Sequence, residues 1–74
     1  MNTVFLILMT IKINGEDKQI ADGQSLIGLL ESLQIRPGRV VVERNRDIVG
    51  RDSFATTMLA EGDVVEIVHF VGGG

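Results

Sequence analysis

Residues 61–74 read EGDVVEIVHFVGGG, and their pattern decides what kind of layer the rest of the chain builds. Glu61-Gly62-Asp63 has turn chemistry, and Val64 to Val71 is a β-branched, apolar run that reads as a strand. Successive strand side chains point to opposite faces. Val65 and Ile67 therefore share one face, while Glu66, Val68 and Phe70 share the other. One of the two faces must be covered by other parts of the chain.

Working outward, the matching strand lies at the other end of the sequence. From Met9, Ile11 and Ile13 alternate with Thr10, Lys12 and Asn14, the period of two of a half-buried strand. Asn14-Gly15 is a strong two-residue hairpin signal, because both central turn positions need positive φ. A return strand is expected around Lys18–Ala21, with Ile20 as its core residue, ended by Asp22-Gly23. The cover follows. Leu26, Leu29, Leu30 and Leu33 fall at i, i+3, i+4 and i+7, one helical stripe. Ser25 is placed to cap it, Pro37-Gly38 is expected to stop it, and Arg36 suits its negative pole. Val40 to Val42 lie in a third strand spanning Arg39–Arg44, and Asn45-Arg46-Asp47 turns the chain into Ile48-Val49. Gly50 to Ala60 has no clean period beyond a weak strand or turn near Thr57–Leu59.

The order predicts an α+β domain in which one helix crosses one face of a mixed sheet of four to five strands. The first and last strands are the apolar ones and are expected at its centre. The 74 residues, 8.1 kDa, suit a single domain. Three parts are expected: an extension at 1–8 without function, a domain at 9–71 and a glycine tail at 72–74.

Composition removes most chemistry. Zero cysteines exclude disulfides, thiolate zinc, iron–sulfur ligation and a cysteine nucleophile. One histidine, His69, leaves no cluster for a metal or a triad. It is expected as a partly buried strand residue near the sheet end. A net charge of −3 argues against nucleic acid as partner. The apolar run Val4–Met9 falls far short of the ~20 residues that span a membrane, and no leader pattern accompanies it. The expected compartment is the cytoplasm.

Gly72-Gly73-Gly74 offers no side chains to pack and is costly to order. A flexible strip without Cβ atoms can thread a narrow channel in another protein. The carboxylate of Gly74 is then the group to react, once activated, for instance by adenylation. On the face away from the helix, Val68 and Phe70, with Val41 as neighbour, suggest a docking patch that Glu66 and Val71 extend. Arg46 and Arg51 could pair with an acidic partner surface, but a solvated face is the preferred reading for both.

Asn14-Gly15-Glu16, Ser25-Leu26-x-x-Leu29-Leu30 and above all the block from Glu61 to Gly74 resemble the thiamine-biosynthesis sulfur-carrier family, ThiS. The resemblance runs from Met9 to Gly74. It implies the ubiquitin-like β-grasp fold and a carrier protein, with no catalytic residue and no metal or cofactor of its own. It further implies an E1-like partner that uses ATP and magnesium to adenylate Gly74, a persulfide donor whose sulfur replaces AMP to leave a thiocarboxylate, and thiazole synthase as acceptor. Relatives often carry Asn-Gly where Asn45-Arg46-Asp47 stands, Pro-Arg where Gly50-Arg51 stands, and tryptophan where Phe54 stands. Two other readings share the tail chemistry: the small subunit of molybdopterin synthase, and a ubiquitin-like modifier of lysines. A third is a binding module with an inert tail.

Overall fold

The computed structural model describes residues 5–71. The expected Asn14-Gly15 turn forms with φ of 48° and 85°, and it joins strands β1 (Leu8–Ile13) and β2 (Glu16–Ala21). Leu8 thus opens the first strand one residue ahead of Met9, and the return strand begins two residues earlier than Lys18. The helix α1 covers Leu26–Ser32. Strands β3 (Val40–Arg44), β4 (Asp47–Val49) and β5 (Val64–His69) complete a sheet in the order β2-β1-β5-β3-β4. Two short 3₁₀ turns, Pro37–Arg39 and Arg51–Ser53, lie in the connections.

The last strand takes the middle of the sheet. β5 runs parallel to β1, with Ile13 beside Val65, and antiparallel to β3, with Val41 beside Val68. β1 also spends its backbone donors on the chain leading into β5. The Thr10 N–H bonds the Glu61 carboxylate at 3.1 and 3.2 Å, Lys12 N donates to Asp63 O at 2.9 Å, and Asn14 N to Val65 O at 2.9 Å. Ladder bonding therefore starts before β5 itself does.

One face of this sheet is the core. Met9, Ile11, Ile20, Val40, Val42, Val65 and Ile67 are buried there against Leu26, Leu29 and Leu30 of the helix, with Phe54 and Leu59 closing the edge. The leucine stripe packs on the Val65/Ile67 face, as the alternation requires. The unpatterned stretch 50–60 has a precise role at the helix start. The first helical N–H groups have no partner within a helix. Here Leu26 N donates to Thr57 O at 2.8 Å, Ile27 N to Phe54 O at 3.0 Å, and Gly28 N to the Ser25 hydroxyl at 3.1 Å. Ser25 is the N-cap that its position implied.

Two expectations need correction. The helix ends at Ser32, well before Pro37. Gln34 turns left-handed at φ 60°, so Gln34 N bonds Glu31 O at 3.0 Å and Ile35 N bonds Leu30 O at 2.9 Å. That pair of bonds is a Schellman stop with glutamine in the usual glycine place. Arg36 consequently lies outside the helix and leads into the following 3₁₀ turn. His69 is exposed, not partly buried. It follows Val65 and Ile67 in the alternation, but it sits at the end of β5, past the cover of this short helix.

Candidate functional site: the outer face and exit of β5

β5 carries its two faces to different fates. Val65 and Ile67 are 0% and 6% exposed, whereas Val68 and Phe70 are 59% and 58% exposed. The outward set was legible from alternation. Val41 lies directly beside Val68 on β3, and Glu66 faces Glu43 two pairs along, on the same face. Beyond Glu43, Ile48 on β4 adds a further apolar side chain to this face, 73% exposed. Ile48 was not anticipated as part of it, although the buried-side neighbour Val49 would have placed it there. The five expected docking residues thus fall into a strip, Val41 with Val68 and Glu66 on the sheet, and Phe70 and Val71 on the chain leaving it.

The exit of the strand is held in place. His69 pairs with Val40, and one residue later Phe70 N donates to Arg39 O at 2.9 Å. The backbone is therefore tied to β3 as far as His69 and, at Phe70, to the 3₁₀ turn that precedes β3. Val71 follows, 99% exposed. Gly72, Gly73 and Gly74 lie outside the described residues, so the expectation of a free tail has no structural counterpart here.

Two side-chain clamps fix where β5 starts and how far it reaches. Asp63, 6% exposed, accepts from Arg44 Nε at 2.8 Å, from Ala60 N at 2.9 Å and from Asn45 Nδ2 at 3.1 Å. Burial pushes its carboxyl up, but the hydrogen bonds from Ala60, Asn45 and Arg44 and the charge of Arg44 outweigh that and hold it below its ordinary value. At the other clamp, the Asn14 side chain bonds both backbone groups of Ile67. Neither clamp was read from the sequence. Local sequence marks Asn14 as a polar strand-end and turn residue and Asp63 as a turn residue, and shows neither long-range partner.

Among the described residues, no group of three or more His, Asp or Glu side chains could hold a metal ion. A surface cavity of about 250 Å³, lined by Ile13, Asn14, Glu16, Asp17, Lys18 and Leu33, is smaller than ordinary small-molecule sites. Among the described residues, no helix is long and apolar enough to cross a membrane.

Comparison with known proteins adds the family. The ThiS family model matches residues 11–74. The sulfur carrier protein ThiS of Bacillus subtilis is 43% identical over 65 residues, covering 86% of this chain and 98% of that protein. A thiazole synthase of Magnetococcus marinus is 44% identical over 66 residues, 89% of this chain; the chain spans only 20% of that protein's length. The crystal structure of thiamine biosynthesis protein ThiS from Geobacter metallireducens superposes with a TM-score of 0.78 at 32% identity, covering 89% of this chain and all of that one. Its β-grasp fold is the fold seen here. On a match that runs from Ile11 in the first strand through the helix and the block from Glu61 to Gly74, this chain belongs to the ThiS family.

Proposed function

We propose that this chain is a sulfur carrier for thiamine biosynthesis, acting in the cytoplasm as a cosubstrate of other enzymes and not as an enzyme itself. The observation that carries the reading is the position of β5: the central strand of the sheet ends at His69, and the exposed Phe70 and Val71 are followed in the sequence by Gly72-Gly73-Gly74. The match to carriers over almost their whole length supports it. In this reading Gly74 bears the terminal carboxylate. An E1-like partner, using its own ATP and magnesium, joins that carboxylate to AMP and releases pyrophosphate. The outer sulfur of a persulfide on a donor protein then attacks the acyl adenylate and expels AMP, forming an acyl disulfide. A second thiol attacks the donor-side sulfur, forming a disulfide with the donor and releasing the thiocarboxylate. Thiazole synthase takes this sulfur into the thiazole ring. Similarity to one part of a longer thiazole synthase supports that partnership, because the two activities then meet in one polypeptide.

The chain's own work is recognition and presentation. Val41, Val68, Phe70 and Val71, edged by Glu66, form the docking strip, and the backbone tie of Phe70 to Arg39 sets the angle at which the tail leaves. Gly72 and Gly73 are the narrow part that a channel admits. The decisive experiment is intact mass spectrometry of the protein made in thiamine-starved cells. The carrier form has one carboxylate oxygen replaced by sulfur, localised to Gly74. An unchanged terminus under those conditions, or an isopeptide bond to lysine, overturns the reading.

A further inference from the structure

Three arginines stand at the end of the sheet where β5 leaves it. The 3₁₀ turn Pro37–Arg39 is closed by Arg39 N donating to Arg36 O at 3.0 Å, so Arg36 and Arg39 mark the two ends of one turn. Arg39 O in turn accepts from Phe70 N, which places this turn against the exit of β5. Arg51 comes from the other side of the sheet edge, through the link after β4. Its guanidinium lies over Gly38, where an added Cβ would stand 3.6 Å from Nη1. All three are exposed. The ion pairs among the described residues, Lys12–Asp17 and Arg44–Asp63, use none of them.

This grouping goes against the chain's overall balance, seven Lys and Arg against ten Asp and Glu. An apolar strip alone does not fix rotation about a strand axis, but a charged rim to one side of it does.

We infer that Arg36, Arg39 and Arg51 form a docking rim for an acidic protein surface, made of Asp and Glu side chains beside the channel mouth of the enzyme that adenylates the tail. This rests on the carrier reading above. Complementary charge raises the rate of encounter and selects orientation more than it adds final affinity. The rim would turn the carrier so that the tail enters the channel in one rotational setting. Three guanidiniums that no carboxylate pairs with among the described residues offer their charge to the partner.

The test is ATP–pyrophosphate exchange with the E1-like enzyme of the source organism, using wild type, the triple variant Arg36→Gln/Arg39→Gln/Arg51→Gln, and the triple lysine variant. Thermal melts establish that each is folded. The glutamine variant should raise KM for the carrier roughly tenfold or more, as expected for lost steering, with kcat unchanged. The lysine variant should stay near wild type, since charge and not the forked geometry is read. Raising ionic strength from about 0.1 M to about 1 M shortens the screening length from about 10 Å to about 3 Å and should erase the difference. An active wild type with an equally active glutamine variant overturns the rim alone. A shift in KM for ATP, with carrier KM unchanged, would put the arginines on nucleotide phosphate and also overturn it. A wild type that supports no exchange overturns the carrier reading, and the rim with it.

Discussion

The side chain of Asn14 brackets the backbone of Ile67, accepting from its N–H at 2.7 Å and donating to its carbonyl at 3.1 Å. The residue that turns the first hairpin thus also continues the β1–β5 ladder where β1 has already bent away. Asn14 sits at φ 48°, so glycine can take its backbone place. Asn14→Gly should keep the hairpin and lose both bonds, at roughly 0.5–1.5 kcal/mol each. Urea melts would show it, and amide exchange at Ile67 should accelerate more than at Val65.

Asp63 makes stability depend on acid. Its folded carboxyl ionises below its unfolded value, so the ionised form is favoured in the folded state. That contribution is complete above the unfolded pKa and is lost as pH falls through the folded one. Wild-type melting temperature should drop as pH is lowered through the carboxylate range. Asp63→Asn should cost about 1.5–3 kcal/mol at neutral pH, the scale for hydrogen bonds to a charged group, and should flatten that acid limb. A mutant losing stability in acid as steeply as wild type would show that other carboxylates set the limb.

The two faces of the sheet should separate cleanly by mutation. Leu30 is fully buried under the helix stripe, and Leu30→Ala should cost about 2–5 kcal/mol. Phe70 is 58% exposed. Phe70→Ala should leave the melt nearly unchanged and weaken binding to the adenylating enzyme by more than about 1 kcal/mol, read by calorimetry. Unfolding by Phe70→Ala with a tolerant Leu30→Ala would reverse the assignment of faces.

Deleting Gly74, appending a residue after it, or replacing Gly73 with valine should each abolish ATP–pyrophosphate exchange while leaving the thermal melt as it was. The first two move the carboxylate, and the third adds a stiff β-branched side chain to the narrow segment. Full exchange by the truncated chain contradicts the role of Gly74.

Gln34 offers the opposite kind of test, a gain. A left-handed residue with a Cβ is strained by roughly 1–2 kcal/mol, and glycine relieves this at an entropic cost of about 0.5–1 kcal/mol. Gln34→Gly should therefore raise stability slightly, by about 1 kcal/mol or less, and a fall would mean that the Gln34 side chain has a contact worth keeping.

Gln34 also shows where the sequence was hard to read. Periodicity gave the helix, because Leu26, Leu29 and Leu30 had to share a face. It could not give the stop, because a Schellman turn is recognised by its glycine and here the left-handed place is filled by glutamine. The same contrast runs through the sheet. The alternation of β1 and β5 is local and was visible, as was the outward pair Val68 and Phe70. The stretch 50–60 showed no period because Phe54 and Thr57 are placed to accept helix N–H groups, a demand set by residues far along the chain. The clamps at Asp63 and Asn14 and the rim of Arg36, Arg39 and Arg51 likewise exist only once distant segments meet.

Because β5 fills the gap between β1 and β3, the strand made last is the one that the sheet cannot do without. Until it arrives, β1 with β2 and β3 with β4 are two separate ribbons, each with an open edge and half a core. Its contacts with β1 close loops as long as the 53 residues from Asn14 to Ile67, the non-local kind that slows folding. During synthesis the domain therefore completes itself late, when the stretch next to the glycines has cleared the ribosome. A chain that stops before β5 would lack Val68 and Phe70 of the outer strip and, with them, the strand that joins the two ribbons into one sheet.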